Sequence, residues 1–155
     1  IKMFPVMPAI GGANNKFQPV YVGDVAEAVA RTLGNRDAYG KTFELGGPEV
    51  FAFKDLIKYT AAEVQSPRPL VWMPVAVARL IGLVGDIQAG LKGMIPVLPA
   101  PILTTDQVLL LANDNVVAKN AKGLKDLGIA ATAVESIVPT YLWRFRKNGQ
   151  FAVTA

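Results

Sequence analysis

The stretch Phe17-Gln18-Pro19-Val20-Tyr21-Val22-Gly23-Asp24-Val25-Ala26 decides the fold, because the hydrophobic period changes inside it. On its N-terminal side, Lys16 to Val22 (KFQPVYV) reads as a strand, and Pro19 places that strand at an edge or a strand start. Asp24 is then a natural N-cap for a helix carrying Val25, Val29 and Leu33, which Gly34 and Asn35 end. The same change of period recurs downstream. Thr42 to Gly46 (TFELG) reads as a second short strand closed by Gly47-Pro48. Phe53, Leu56, Ile57, Ala61 and Val64 mark a helix that stops at Ser66-Pro67. Leu70 to Met73 (LVWM) is a third strand, and Pro74 is placed to open the next helix. The alternation predicts an α/β chain.

Leu70 to Leu111 is the most apolar region. Arg79, Asp86, Lys92, Pro96, Pro99 and Pro101 interrupt it, so no run reaches the ~18 uncharged apolar residues of a spanning helix. Val77, Leu80, Ile81, Val84 and Leu91 share one helical face. That face suits an interfacial helix, but the pattern favours a core-facing one. Ile95 to Leu103 is expected to be a loop, and Thr104 or Thr105 to cap a short helix through Leu111. The last helix carries Val134, Ile137, Val138, Tyr141, Leu142 and Phe145 on one stripe, with Pro139 predicting a kink or two abutting helices. Arg144, Arg146 and Lys147 sit where cations favour a helix C-terminus, ahead of Gly149 as a C′ residue.

Composition removes whole classes of chemistry. The 155 residues are 52% hydrophobic and 18% charged, which supplies a core for one domain over residues 1–155 and excludes disorder as the main description. Cysteine and histidine are both absent. Thiolate zinc sites, thiol nucleophiles and every mechanism that needs an imidazole base go with them. A net charge of +4 from dispersed lysines gives no nucleic-acid stripe. The chain opens on Ile1 with no visible signal peptide, so it is expected to begin inside a longer product of cytoplasmic type.

Motifs are equally sparse. The glycines form neither G-x-G-x-x-G nor a P-loop, and Gly82-x-x-Gly85 and Gly90-x-x-Gly93 fall within a hydrophobic helical pattern, where close packing explains them. Tyr21, Tyr39, Tyr59 and Tyr141 are followed four residues later by Val25, Phe43, Glu63 and Phe145, so no Tyr-x-x-x-Lys pair exists. Ser66 and Ser136 have no elbow or base beside them. Asp106, Asp114 and Asn115 lack the oxygen density of a calcium loop and read as caps and turns. No catalytic residue and no metal site is expected from the chain alone.

Taken together, Phe17 to Ala26, Phe43-Glu44-Leu45-Gly46-Gly47-Pro48, Phe53-Lys54-Asp55-Leu56-Ile57, Leu103 to Val108, Asp114-Asn115, Pro139-Thr140-Tyr141-Leu142 and Gly149-Gln150-Phe151 resemble the C-terminal half of an extended or atypical short-chain dehydrogenase/reductase. This is the NAD-dependent epimerase/dehydratase superfamily. The later segments are most similar to its branch around the nucleotide-binding accessory subunit of respiratory complex I and bacterial relatives. The resemblance implies a C-terminal portion of an NAD(P)-binding Rossmann-like fold, whose short strands and helices form the substrate-side lobe. It places Gln18, Pro19, Val20 and Asp24 near the nicotinamide end and the substrate pocket, although by local context Asp24 is a helix cap, and Gln18 and Val20 equally suit strand pairing. Trp72 and Trp143 read as core or interface anchors. Ala52 stands where relatives carry a Ser or Thr cap.

The implied parent is an NAD(P)-dependent epimerase/dehydratase or oxidoreductase that holds NAD or NADP and its reactive tyrosine and lysine in an N-terminal Rossmann half; the fragment alone is expected to bind neither and to be no enzyme. The alternative is a non-catalytic accessory subunit or assembly factor of complex I, peripheral at the inner membrane, with Val75 to Leu103 and the terminal basic cluster against a membrane arm or lipid. Apolar surface left for the absent half predicts self-association.

Overall fold

Short extended segments and longer helices alternate along the chain, but the extended segments pair with distant partners rather than with their neighbours. The structure is a computed structural model that describes residues 6–92, 95, 97–146 and 149. Its strands are β1 (Met7–Ile10), β2 (Lys16–Phe17), β3 (Phe51–Ala52) and β4 (Leu70–Met73). Its helices are α1 (Val22–Thr32), α2 (Phe53–Glu63), α3 (Val75–Lys92), α4 (Thr105–Ala112) and α5 (Val134–Leu142), with 3₁₀ turns at Arg36–Ala38, Leu124–Leu127 and Trp143–Phe145. The class is α/β, as the alternating period predicts.

β1 and β4 form a parallel pair in which Met7 faces Leu70 and Ile10 faces Met73. The β1 strand has no counterpart in the sequence reading. Ile10, Ala78 and Val108 make one small core, closed by Met73, Val75, Leu103 and Leu111. Ala28, Leu124 and Ile129 make a second, closed by Val20, Leu45, Leu127 and Ala131. Both cores are small, and Val108 is the largest side chain among the described residues with less than 2% of its surface exposed.

Two expected strands shrink. Only Lys16 and Phe17 of the KFQPVYV stretch pair, antiparallel with Ala52 and Phe51. Beyond them Pro19 has no N–H to give. The Gly46-Gly47 loop also lies so close that a Cβ on Gly47 would stand 1.9 Å from the Pro19 carbonyl oxygen. TFELG likewise contributes one isolated bridge, Phe43 to Lys122, rather than a strand.

Helix starts show three different solutions. Thr104 caps α4 in a reciprocal box with Gln107, so of the two expected threonines Thr104 is the cap. Asp24 does not cap α1: the N-cap is Tyr21, and Asp24 lies inside the first turn. At α2 the N-cap Ala52 has no side chain to offer, and the turn before β2 takes over. Phe53 N–H donates to the Asn15 carbonyl and Lys54 N–H to the Ala13 carbonyl, both at 2.9 Å. That turn holds Gly11, Gly12 and the buried Ala13 in left-handed conformations (φ 59°, 87° and 51°).

The face of α3 corrects the core-facing expectation. Ala78, Gly82 and Gly85 point inward. Val77, Leu80, Ile81, Val84 and Leu91 point out to solvent, joined by Leu83 and Ile87. The cause is backbone contact, as the packing reading of Gly82-x-x-Gly85 predicts. The Leu103–Thr105 segment runs across the helix so closely that a Cβ on Gly85 would lie 1.8 Å from the Leu103 carbonyl oxygen. Asp86 Oδ1 accepts from Thr105 N–H at 3.2 Å across the same crossing.

Candidate functional site

Three walls enclose a cavity of about 630 Å³. Pro19 to Val22 form the entry to α1, Leu56, Tyr59 and Thr60 come from α2, and residues 132–141 run from a loop into α5. The hydrophobic stripe of α5 explains its place here. Val134, Ile137, Val138 and Tyr141 line the cavity rather than a sealed core, and no residue of α5 is fully buried. Pro139 sits within this helix, which gives way to the 3₁₀ turn after Leu142. At its far end Arg146 Nε donates to the Glu63 carbonyl at 2.7 Å, and its guanidinium pairs with the Glu63 carboxylate at 3.3 Å, tying α5 to α2.

Of the four site residues named from sequence, two line this cavity and two do other work. Pro19 and Val20 line it. Gln18 is turned away: its Nε2 donates to the Gly47 carbonyl at 2.7 Å, and its Oε1 accepts from Val117 N–H at 3.1 Å. One amide thereby clips two loops together. Asp24 is 6% exposed, and its two carboxylate oxygens accept from Thr132 N–H (2.7 Å) and Thr132 Oγ1 (2.8 Å). A buried carboxylate needs such partners. The effect is to fasten the 132–134 wall of the cavity to α1.

Tyr59, Thr60, Thr132 and Tyr141 were missed as cavity residues by the sequence reading. The helical spacing of Leu56, Tyr59 and Thr60 was the available signal, but it cannot say which distant loop faces them. Burial pushes the Tyr59 phenol above its ordinary value of 10.0, and the carboxylates of Glu63 and Glu135 and the Tyr141 phenol push it further the same way. It is therefore a neutral hydrogen-bonding group at physiological pH, not a base.

No group of three or more metal-ligating side chains exists among the described residues. Asp114, weighed as a hard-cation ligand, accepts from Lys16 N–H at 2.7 Å. Gly82 and Gly85 offer no cradle for a pyrophosphate, because the backbone of Leu103–Thr105 closes them off. Trp72 is 66% exposed, which suits an interface anchor and not a core one. Arg144 lies over the Phe145 ring at 5.5 Å. Lys147, Gln150 and Phe151 lie outside the described residues.

No family model matches the chain. Curated proteins do. An Arabidopsis thaliana protein, NADH dehydrogenase [ubiquinone] 1 alpha subcomplex subunit 9, mitochondrial, is 34% identical over 151 residues, covering 96% of this chain and 37% of its own length. The NADH-ubiquinone oxidoreductase 40 kDa subunit, mitochondrial, of Neurospora crassa is 28% identical over 140 residues, with 90% and 35% covered. The Rattus norvegicus subunit 9 is 33% identical over 138 residues, with 86% and 33% covered. The chain thus spans about a third of the length of the relatives it matches.

Proposed function

We propose that this chain is the substrate-side lobe of a complex I accessory subunit of the NAD-dependent epimerase/dehydratase superfamily, and that it docks to its assembly through the outer face of α3. The observation that carries the reading is the inversion of that helix. Leu80, Leu83 and Ile87 are 65%, 55% and 59% exposed, while the same helix buries only Ala78 and two glycines. A folded chain that hides small residues and displays large aliphatic ones has apolar surface reserved for a partner. Large aliphatic side chains are exposed elsewhere on the same half of the chain too, at Leu109 and Leu110 of α4 and at Ile95, Val97 and Ile102 of the loop between the helices. Similarity to two named subunits of NADH–ubiquinone oxidoreductase along 90% or more of the chain supports the identity of the assembly.

This reading favours the accessory subunit over the catalytic parent considered first. Gln18 and Asp24 serve as clips between loops, which leaves the lobe without a polar group of theirs for chemistry. NAD or NADP is held by the parent's other residues. In this reading attachment is through the α3 face; no helix among the described residues is long and apolar enough to cross a membrane.

The test is blue-native electrophoresis of the full-length protein in its own host. The wild type should migrate with NADH–quinone oxidoreductase activity. The variant Leu80→Ser, Leu83→Ser, Ile87→Ser should run free of it while retaining its circular dichroism spectrum. Wild-type protein that never meets that activity band, or a triple variant that stays in it, sinks the proposal. Hydride transfer to a nucleotide sugar by the purified full-length protein would restore the catalytic reading.

A further inference from the structure

The cavity between α1, α2 and α5 has a chemistry of its own, independent of the α3 face. Its volume of about 630 Å³ falls within the range of small-molecule sites. None of the lining residues is Lys, Arg, Asp or Glu. Val20, Leu56, Ile137 and Val138 supply an apolar bed. The hydroxyl groups on the wall divide into two kinds. Thr132 Oγ1 donates to Asp24, Thr60 Oγ1 to the Leu56 carbonyl and Thr140 Oγ1 to the Ile137 carbonyl, so these protons are committed. Among the described residues the phenols of Tyr21, Tyr59 and Tyr141 have no such bond; Tyr21 and Tyr141 are exposed, and Tyr59 alone of the three is half-buried, on the α2 wall.

We infer that this cavity binds an uncharged, largely apolar organic molecule that carries a hydrogen-bond-accepting oxygen, with the Tyr59 hydroxyl as its donor. Anions are disfavoured because no cation lines the site, and the nearby Arg146 guanidinium is already paired with Glu63. A phosphate-bearing ligand would lose its hydration here without a compensating charge. The phenol is a donor at neutral pH, and burial, followed by the Glu63 and Glu135 carboxylates, pushes its pKa further up. The Asp24–Thr132 and Arg146–Glu63 links fix the two outer walls against α1 and α2, so the bed is formed before the ligand arrives.

The probe is Prodan, a neutral naphthalene ketone whose emission reports both polarity and hydrogen bonding to its carbonyl, titrated into the whole chain. Saturable, blue-shifted binding is expected. Tyr59→Phe should weaken it about 3- to 10-fold, the loss of one neutral hydrogen bond, and should not change binding of the analogue that lacks the carbonyl. Val138→Trp, which fills the bed, should abolish the Tyr59-dependent component. The α3 triple serine variant should leave that component intact, which separates this site from the docking face. Uridine diphosphate should not compete. The inference is overturned by absent or non-saturable binding, by indifference to both Tyr59→Phe and Val138→Trp, by loss of binding in the α3 variant alone, or by displacement with uridine diphosphate.

Discussion

Removing the Asp24 carboxylate is the most telling perturbation of the lobe. Its two hydrogen bonds to Thr132 are short and charge-assisted, and its residual exposure is 6%. Bonds to a charged partner contribute about 1.5–3 kcal/mol each when well buried, and the favourable position in the first turn of α1 adds about 0.3–1 kcal/mol. Thr132 borders the open cavity, so its freed N–H and hydroxyl regain some water. Asp24→Ala should therefore cost about 3 kcal/mol, or a fall in Tm of roughly 6–12 °C for a chain of this size. Asp24→Asn keeps one oxygen acceptor and should cost about 1–1.5 kcal/mol. Asp24→Ser separates two explanations. A capping role would be restored by serine, whereas a link to Thr132 would not, because the hydroxyl is too short to span it. Thermal and urea unfolding of these variants, with a double-mutant cycle against Thr132→Val, should show a coupling of about 1–2 kcal/mol. Additive effects within 0.5 kcal/mol, or full rescue by Asp24→Ser, would refute the reasoning.

Within α3, Gly85→Ala should destabilise by about 1–3 kcal/mol because its Cβ meets the Leu103 carbonyl, while Gly90→Ala, with nothing within 4 Å, should stabilise by about 0.5–1 kcal/mol; urea midpoints of the pair check the crossing, and equal shifts would contradict it. Tyr59, with its pKa raised in the folded state, contributes stability that is complete below pH 10 and lost as pH rises through the folded value; the pH dependence of unfolding, compared with Tyr59→Phe, should show this loss in the parent chain only. The exposed α3 face should drive concentration-dependent self-association in sedimentation runs, relieved by the triple serine variant. A wild-type chain that stays monomeric at high concentration would argue against that face being adhesive.

How far the sequence reveals this lobe depends on whether the deciding contact is local. The bounds of β4, the end of α2 before Ser66-Pro67 and the Thr104 cap of α4 follow from residues adjacent in the chain. The extended stretches do not. Phe17 bridges to Asn115 and Phe43 to Lys122, so their pairing is set by residues far along the chain, and strand propensity alone overstates their length. β1 escapes for the same reason: its partner β4 is more than fifty residues away. The α3 pattern shows which residues share a face, yet a period cannot say which face is inside. There the glycine-backed crossing by Leu103–Thr105 outweighs the usual burial of large aliphatic side chains. The resemblance groups Gln18, Pro19, Val20 and Asp24 at one pocket, whereas the structure puts only Pro19 and Val20 on the cavity wall, and the clipping roles of Gln18 and Asp24 depend on Gly47, Val117 and Thr132.

The borrowed start of α2 carries injury from one side of the lobe to the other. Its first two amide protons rest on carbonyls at positions 13 and 15, contributed by a bend in which an alanine is wound left-handed with no spare room. A β-branched newcomer at Ala13, such as valine, fits neither the winding nor the space. Unseating that bend would let the helix fray from its first turn, and Leu56, Tyr59 and Thr60 stand just downstream. A lesion there would thus spoil ligand capture from afar.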